Sequence, residues 1–166
     1  MKNEQQDYWE RIDSEMASRT LREIGLEYLE GNTEVESLFF GDLTPPLTDN
    51  ELDHLKGLTG LRKLDLKGAA ISDDGMASLQ GMVNLEQLWL GGSRSQITDK
   101  GLVHLEGLAS LKHLEIWSTH VTDSGIEHLK CLASLESLHL SGMKLTVDGI
   151  KELQQALPKC RIVHYR

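Results

Sequence analysis

The stretch Val121-Thr122-Asp123-Ser124-Gly125-Ile126-Glu127-His128-Leu129-Lys130-Cys131-Leu132-Ala133-Ser134-Leu135-Glu136-Ser137-Leu138-His139-Leu140 carries two apolar periods in succession. Ile126 and Leu129 are spaced for a helix, whereas Leu138 and Leu140 are spaced for a strand with one buried face. The same frame recurs along the chain. Leu55, Leu79, Leu105, Leu129 and Leu153 fall in register at separations of 24, 26, 24 and 24 residues. Ahead of each stands an aliphatic residue, a Ser or Thr, usually an Asp and then usually a Gly. These read Leu47-Thr48-Asp49-Asn50-Glu51, Ile71-Ser72-Asp73-Asp74-Gly75, Ile97-Thr98-Asp99-Lys100-Gly101, Val121-Thr122-Asp123-Ser124-Gly125 and Leu145-Thr146-Val147-Asp148-Gly149.

One strand and one helix per repeat cannot bury their apolar sides alone, so the copies must stack. The recurring Ser or Thr stands at a helix N-cap, where its hydroxyl accepts from an unpaired backbone N–H. The Asp after it is favoured by the helix dipole, and Thr48 with Glu51 makes a capping box.

Composition agrees. Leu supplies 29 of the 166 residues, while Phe, Tyr and Trp together make 5%. The formal net charge of −9 argues against a nucleic-acid binder, which needs Lys and Arg to replace phosphate counterions, and against an anionic membrane surface. No run of apolar residues is long enough to span a bilayer. The polar start at Met1 shows no leader, and the two cysteines, Cys131 and Cys160, are too few for a disulfide scaffold. The expectation is a cytoplasmic protein that is complete at both ends.

The frame resembles that of bacterial-type leucine-rich repeat proteins with 24-residue repeats of the form L-T-D-x-G-L-x-x-L, as in planctomycete proteins. It is more distantly similar to the cysteine-containing repeats of F-box adaptors. The resemblance covers roughly residues 35–162. It implies an α/β fold: a right-handed solenoid with a parallel sheet of about six strands on the concave face and helices on the convex face. It also implies protein recognition. The Asn that usually follows the strand is replaced by Leu43, Ala69, Ser93, Thr119 and Met143, so its side-chain ladder is expected to be absent or water-filled. Residues 1–30 show no F-box pattern, and no ubiquitin-ligase role is carried over.

Residues 1–34 read as a helical N-terminal cap, and residues 35–166 as a repeat domain of about five repeats with a C-terminal cap. Leu21, Leu26, Leu29, Val35, Leu38 and Phe40 follow the later frame, so the N-terminal cap has the form of a degenerate repeat. Pro158 ends the last helix before a short final strand. Two loops, at residues 41–46 and 91–96, carry two extra residues. They read either as binding loops or as drift in loop length. Gly91-Gly92-Ser93 lacks the Lys-Ser/Thr of a phosphate loop.

The residues flanking each strand leucine face solvent on the concave side. They place Phe39, Trp89 and Trp117 there as aromatic anchors, with Lys63, Asp65, Lys67, His113, Glu115 and His139 setting polarity. Exposed Trp is typical of binding hot spots; the competing account is that a cap or loop covers the rings. The leading expectation is a protein-interaction module with no catalysis and no cofactor. Its partner is an unidentified protein, and it is a monomer or weak homo-oligomer. Two alternatives accompany it. His113, Glu115 and His139 have ligand types suited to zinc or hydrolytic chemistry on adjacent strands about 4.8 Å apart. The aromatic face could instead be buried by self-association. No G-x-S-x-G elbow is present. His54, His104 and His128 share one helix position, and the last two are placed to stack. Cys131, in the place of Gly57, Gly81 and Gly107, and Cys160 read as structural.

Overall fold

The computed structural model describes residues 35–41, 45–117 and 119–165. The proposed helical cap and Leu43 lie outside the described residues. Among the described residues six parallel strands follow one another in chain order: β1 (Ser37–Phe39), β2 (Lys63–Asp65), β3 (Gln87–Gly91), β4 (His113–Trp117), β5 (Ser137–Ser141) and β6 (Arg161–Tyr165). The register holds every repeat in step, with Leu38 opposite Leu64, Leu64 opposite Leu88, Leu88 opposite Leu114 and Leu114 opposite Leu138. Strict alternation buries these leucines and turns their neighbours outward. The register leucines Leu55, Leu79, Leu105, Leu129 and Leu153 are fully buried. Each such side chain contributes about 2 kcal/mol of transfer free energy, so one continuous core runs the length of the stack.

The convex side carries the expected helices in short form. α1 (Asp49–Leu52), α2 (Asp73–Met76) and α3 (Asp123–Ile126) are single turns that continue as 3-10 segments. The segment Gly101–Leu105 is 3-10 throughout, and among the described residues only α4 (Val147–Ala156) is a longer helix. Leu52, Leu55, Leu58 and Leu61 are spaced three apart, the period of a 3-10 helix, whose side chains eclipse at i and i+3.

The N-caps form as expected, with Ser72, Thr122 and Thr146 accepting from Asp74, Ser124 and Gly149 N–H. The following Asp has a larger part than its helix dipole. Asp49 accepts from the N–H and hydroxyl of Ser72, in the next repeat, at 2.9 and 2.7 Å. Asp73 does the same with Thr98 at 2.7 and 2.6 Å, Asp99 with Thr122 at 2.7 and 2.7 Å, and Asp123 with Thr146 at 2.9 and 2.6 Å. Four carboxylates thus stitch successive repeats together. Thr48 finds the same two bonds inside its own repeat, where Glu51 Oε2 accepts from its N–H and hydroxyl at 2.8 Å each. Glu51 occupies the position that is Gly in every later repeat. At the other end Val147 stands where the Asp belongs, and the ladder stops.

Of the described positions where the resemblance implies Asn, Ser93 is exposed and the other three are buried. Ala69 and Met143 are buried, and Thr119 is buried with its hydroxyl lacking a hydrogen-bond partner.

Candidate functional site

Three rows of side chains run across the concave face. The strand register gives the middle row: Phe39, Asp65, Trp89, Glu115, His139 and Val163. Below it lie Ser37, Lys63, Gln87, His113, Ser137 and Arg161. Above it Gly91, Trp117, Ser141 and Tyr165 stand opposite one another, with Lys67 one strand before Gly91. All nine residues singled out from the sequence therefore share one sheet face.

Their environments differ. Phe39 is 63% exposed, and Lys63 and His139 are also open to solvent. Trp89 is half-buried and lines a shallow, open depression of about 320 Å³ with Gln87, His113, Leu114, Glu115, Ser137 and His139. Trp117 is half-buried, and its indole N–H is buried without a hydrogen-bond partner. Gly91 and Gly92, at φ +107° and +129°, make room for this strand. A β-carbon on Gly91 would collide with the Trp117 carbonyl, and one on Gly92 would stand 3.0 Å from the backbone nitrogen of Gly68. Close backbone approach thus accounts for the glycine pair in the longer loop.

The polar groups are already engaged. Lys67 Nζ reaches Glu115 Oε2 at 3.2 Å, passing over the side-chain gap at Gly91. Asp65 Oδ1 accepts from Lys67 N–H at 2.9 Å. His113 Nδ1 shares a hydrogen bond with Ser137 Oγ at 2.8 Å. Among the described residues no three His, Cys, Asp or Glu side chains are placed to hold a metal ion. His113 and Glu115 each bond a partner other than His139, although all three line the same depression. His104 and His128 each have a hydrogen-bond partner in the preceding repeat. His104 pairs with Gln80 at 2.9 Å and His128 with Glu106 at 2.6 Å.

Gln87 and Ser137, which flank strand leucines and face the concave side as the alternation predicts, also line the depression. The residues just before each strand were not singled out from the sequence. Glu36, Arg62, Glu86, Lys112 and Glu136 alternate in sign and hydrogen-bond backbone to backbone across the sheet. Glu86 pairs with Lys112 at 2.8 Å and with Arg62. The Lys112 ammonium, and then Arg62, hold the Glu86 carboxyl below its ordinary range. The sign alternation at 24–26-residue spacing was visible in the sequence.

Cys131 and Cys160 are free. The structure also explains why a cysteine replaces glycine at 131. Lys56 and Gln80 have ψ of 130° and 134°, so Gly57 and Gly81 take φ +86° in type II turns. Glu106 and Lys130 have ψ of −30° and −23°, giving type I turns that need no glycine at the next position.

A leucine-rich repeat family model matches residues 58–79. Internalin C2 from Listeria monocytogenes is 29% identical, with a TM-score of 0.56, over 68% of this chain and 45% of that one. A second Listeria monocytogenes internalin, inlF, is 23% identical with a TM-score of 0.52, over 68% and 30%. Leiomodin-1 actin-binding site 2 is 17% identical with a TM-score of 0.62, over 81% and 86%, and at that identity speaks for the fold alone. This chain spans less than half the length of the internalins it matches. No curated protein sequence matches. The repeat frame, the parallel six-stranded sheet and these neighbours together give the chain a leucine-rich repeat solenoid fold, similar to that of the bacterial internalins.

Proposed function

We propose that the protein is a recognition module that binds a protein partner on its concave face and performs no chemistry of its own. The observation that carries this is Trp89, half-exposed in a depression whose other walls are mostly polar. Phe39 extends the apolar contact along the row, and Trp117 borders it from the row above. Lys63, Asp65, Lys67, His113, Glu115 and His139 select the partner by charge and hydrogen bonding. The strands fix these groups before binding, which lowers the ordering cost of association. No helix among the described residues is long and apolar enough to cross a membrane. The free thiols and net acidity favour a cytoplasmic protein partner over nucleic acid or a membrane surface.

Affinity capture with wild type and Trp89→Ala, both checked for fold by circular dichroism, tests this. A partner held by wild type and released by the folded variant supports the concave site. A partner held equally by both removes it.

A further inference from the structure

We propose that β6 is a homodimer interface, in which two copies pair their Arg161–Tyr165 strands antiparallel about a two-fold axis at Val163. This stands apart from the concave-face reading, because it rests on the end of the sheet. Among the described residues β6 pairs only with β5, and no described strand occupies its outer edge.

The hydrogen bonds fix which groups face that edge. Arg161 N–H donates to Glu136 O at 2.8 Å, and Tyr165 O accepts from Gly142 N–H at 3.1 Å. Backbone groups of one residue point to the same side of a strand and alternate along it. Arg161, Val163 and Tyr165 therefore face β5, and Ile162 and His164 offer their N–H and C=O outward. A two-fold at Val163 pairs Ile162 of each copy with His164 of the other. These are the residues with free backbone groups, so all the outward bonds close at once. Val163 then meets Val163 of the second copy in a non-hydrogen-bonded pair, about 4.5 Å between α-carbons. Arg161 meets Tyr165 of the second copy, a cation beside an aromatic ring. Tyr165 is 64% exposed in the single chain and gains cover by this pairing.

Two observations favour a second copy in this arrangement over continued stacking. Strand edges are ordinarily blunted by Lys, Pro, bulges or covering elements, and residues 161–165 contain no Lys or Pro. Head-to-tail extension of the solenoid would need an Asp at residue 147 to accept from the next repeat. Val147 stands there instead, 56% exposed. A strand-to-strand two-fold needs no such rung.

Sedimentation of the full chain over a concentration series tests the proposal. Wild type is expected to show a monomer–dimer equilibrium. Val163→Lys places two ammonium groups across the axis and is expected to raise the dissociation constant at least about tenfold. Val163→Glu should do the same, and an equimolar mixture of the two variants should restore a heterodimer. If either charged variant unfolds, His164→Pro, checked for fold by circular dichroism, takes its place: it removes an outward N–H, together with the half-buried imidazole, and leaves the bonds to β5 intact; loss of the dimer is again expected. Wild type that stays monomeric to near-millimolar concentration would overturn the proposal. So would a dimer that survives Val163→Lys or His164→Pro, because another face would then hold it.

Discussion

A β-carbon on Gly101 would stand 2.5 Å from Oδ1 of Asp73, a residue of the preceding repeat. Asp73 is held there by the N–H and hydroxyl of Thr98. The Asp and the Gly of the repeat frame are thus one device seen in two adjacent copies: the carboxylate reaches forward and the glycine leaves space for it. Gly101→Ala should destabilise the fold by about 1–3 kcal/mol through overpacking. Adding Asp73→Ala should recover part of that loss, because the clash and the rung are coupled. Denaturant melts of the two single variants and the double variant measure this. Strictly additive losses would mean that the two residues do not share a site.

The turn glycines separate by backbone conformation alone. Neither Gly57 nor Gly107 has an atom within 4 Å of a built β-carbon, yet only Gly57 has a positive φ, of +86°. Gly57→Ala should cost about 1–2 kcal/mol from left-handed backbone strain. Gly107→Ala should be neutral within about 0.5 kcal/mol or slightly stabilising. Thermal melts compare them directly, and equal losses at both sites would contradict the turn assignment.

The sheet was legible in the sequence because alternation about Leu64, Leu88, Leu114 and Leu138 is a local signal. The concave row was legible for the same reason, and the register placed all nine expected residues on one face. The Asp ladder was not legible. Asp123 bonds Thr146, 23 residues away, and nothing local distinguishes that role from helix-dipole compensation. Helix length was not legible, because an apolar spacing of three, as in Ile126 and Leu129, suits a turn of α-helix followed by a 3-10 segment as well as a longer helix. Trp117 is less free than Phe39, with its indole N–H buried, and alternation along one strand cannot tell the two apart.

The ladder should also appear in acid. Hydrogen bonds from the Thr146 hydroxyl, and then its N–H, hold the Asp123 carboxyl below its ordinary range. Its folded pKa is therefore lower than its unfolded value of about 3.9. The rung's contribution is fully present above that unfolded value and is lost as pH falls through the folded one. Asp123→Asn should be less stable than wild type at pH 7 and should lose less on acidification, so that the two stabilities converge toward about pH 2. Urea midpoints across that range provide the test. Parallel curves would mean that Asp123 contributes no charge-dependent stability.

Adjacent residues of β3 should report different properties. Leu88 is fully buried, and Leu88→Ala should cost about 2–5 kcal/mol by transfer loss and cavity formation. Trp89 is half-buried on the opposite face, so Trp89→Ala should cost less than half as much while abolishing partner capture. A Trp89→Ala variant that melts as early as Leu88→Ala would show that the ring supports the sheet more than it serves recognition.

The two thiols should differ in reactivity in a way that follows their surroundings. Cys131 is solvent-exposed, but its sulfur lies 3.1 Å from the His128 carbonyl and 3.8 Å from that of Glu106. Partial burial, and then the negative charge of Glu106, push its pKa up. The thiolate is the reactive form, so at pH 8 iodoacetamide should modify Cys131 more slowly than a free cysteine. Glu106→Gln should speed the reaction by removing the charge. Cys160 is only 4% exposed, and burial raises its pKa as well. It should react only as the C-terminal strand opens, at a rate that rises with urea while the Cys131 rate changes little. Mass-resolved alkylation distinguishes the two sites. Modification of Cys131 at or above the free-thiol rate would mean that Glu106 does not act on it. Early labelling of Cys160 would mean that the β6 end of the core opens well below global unfolding.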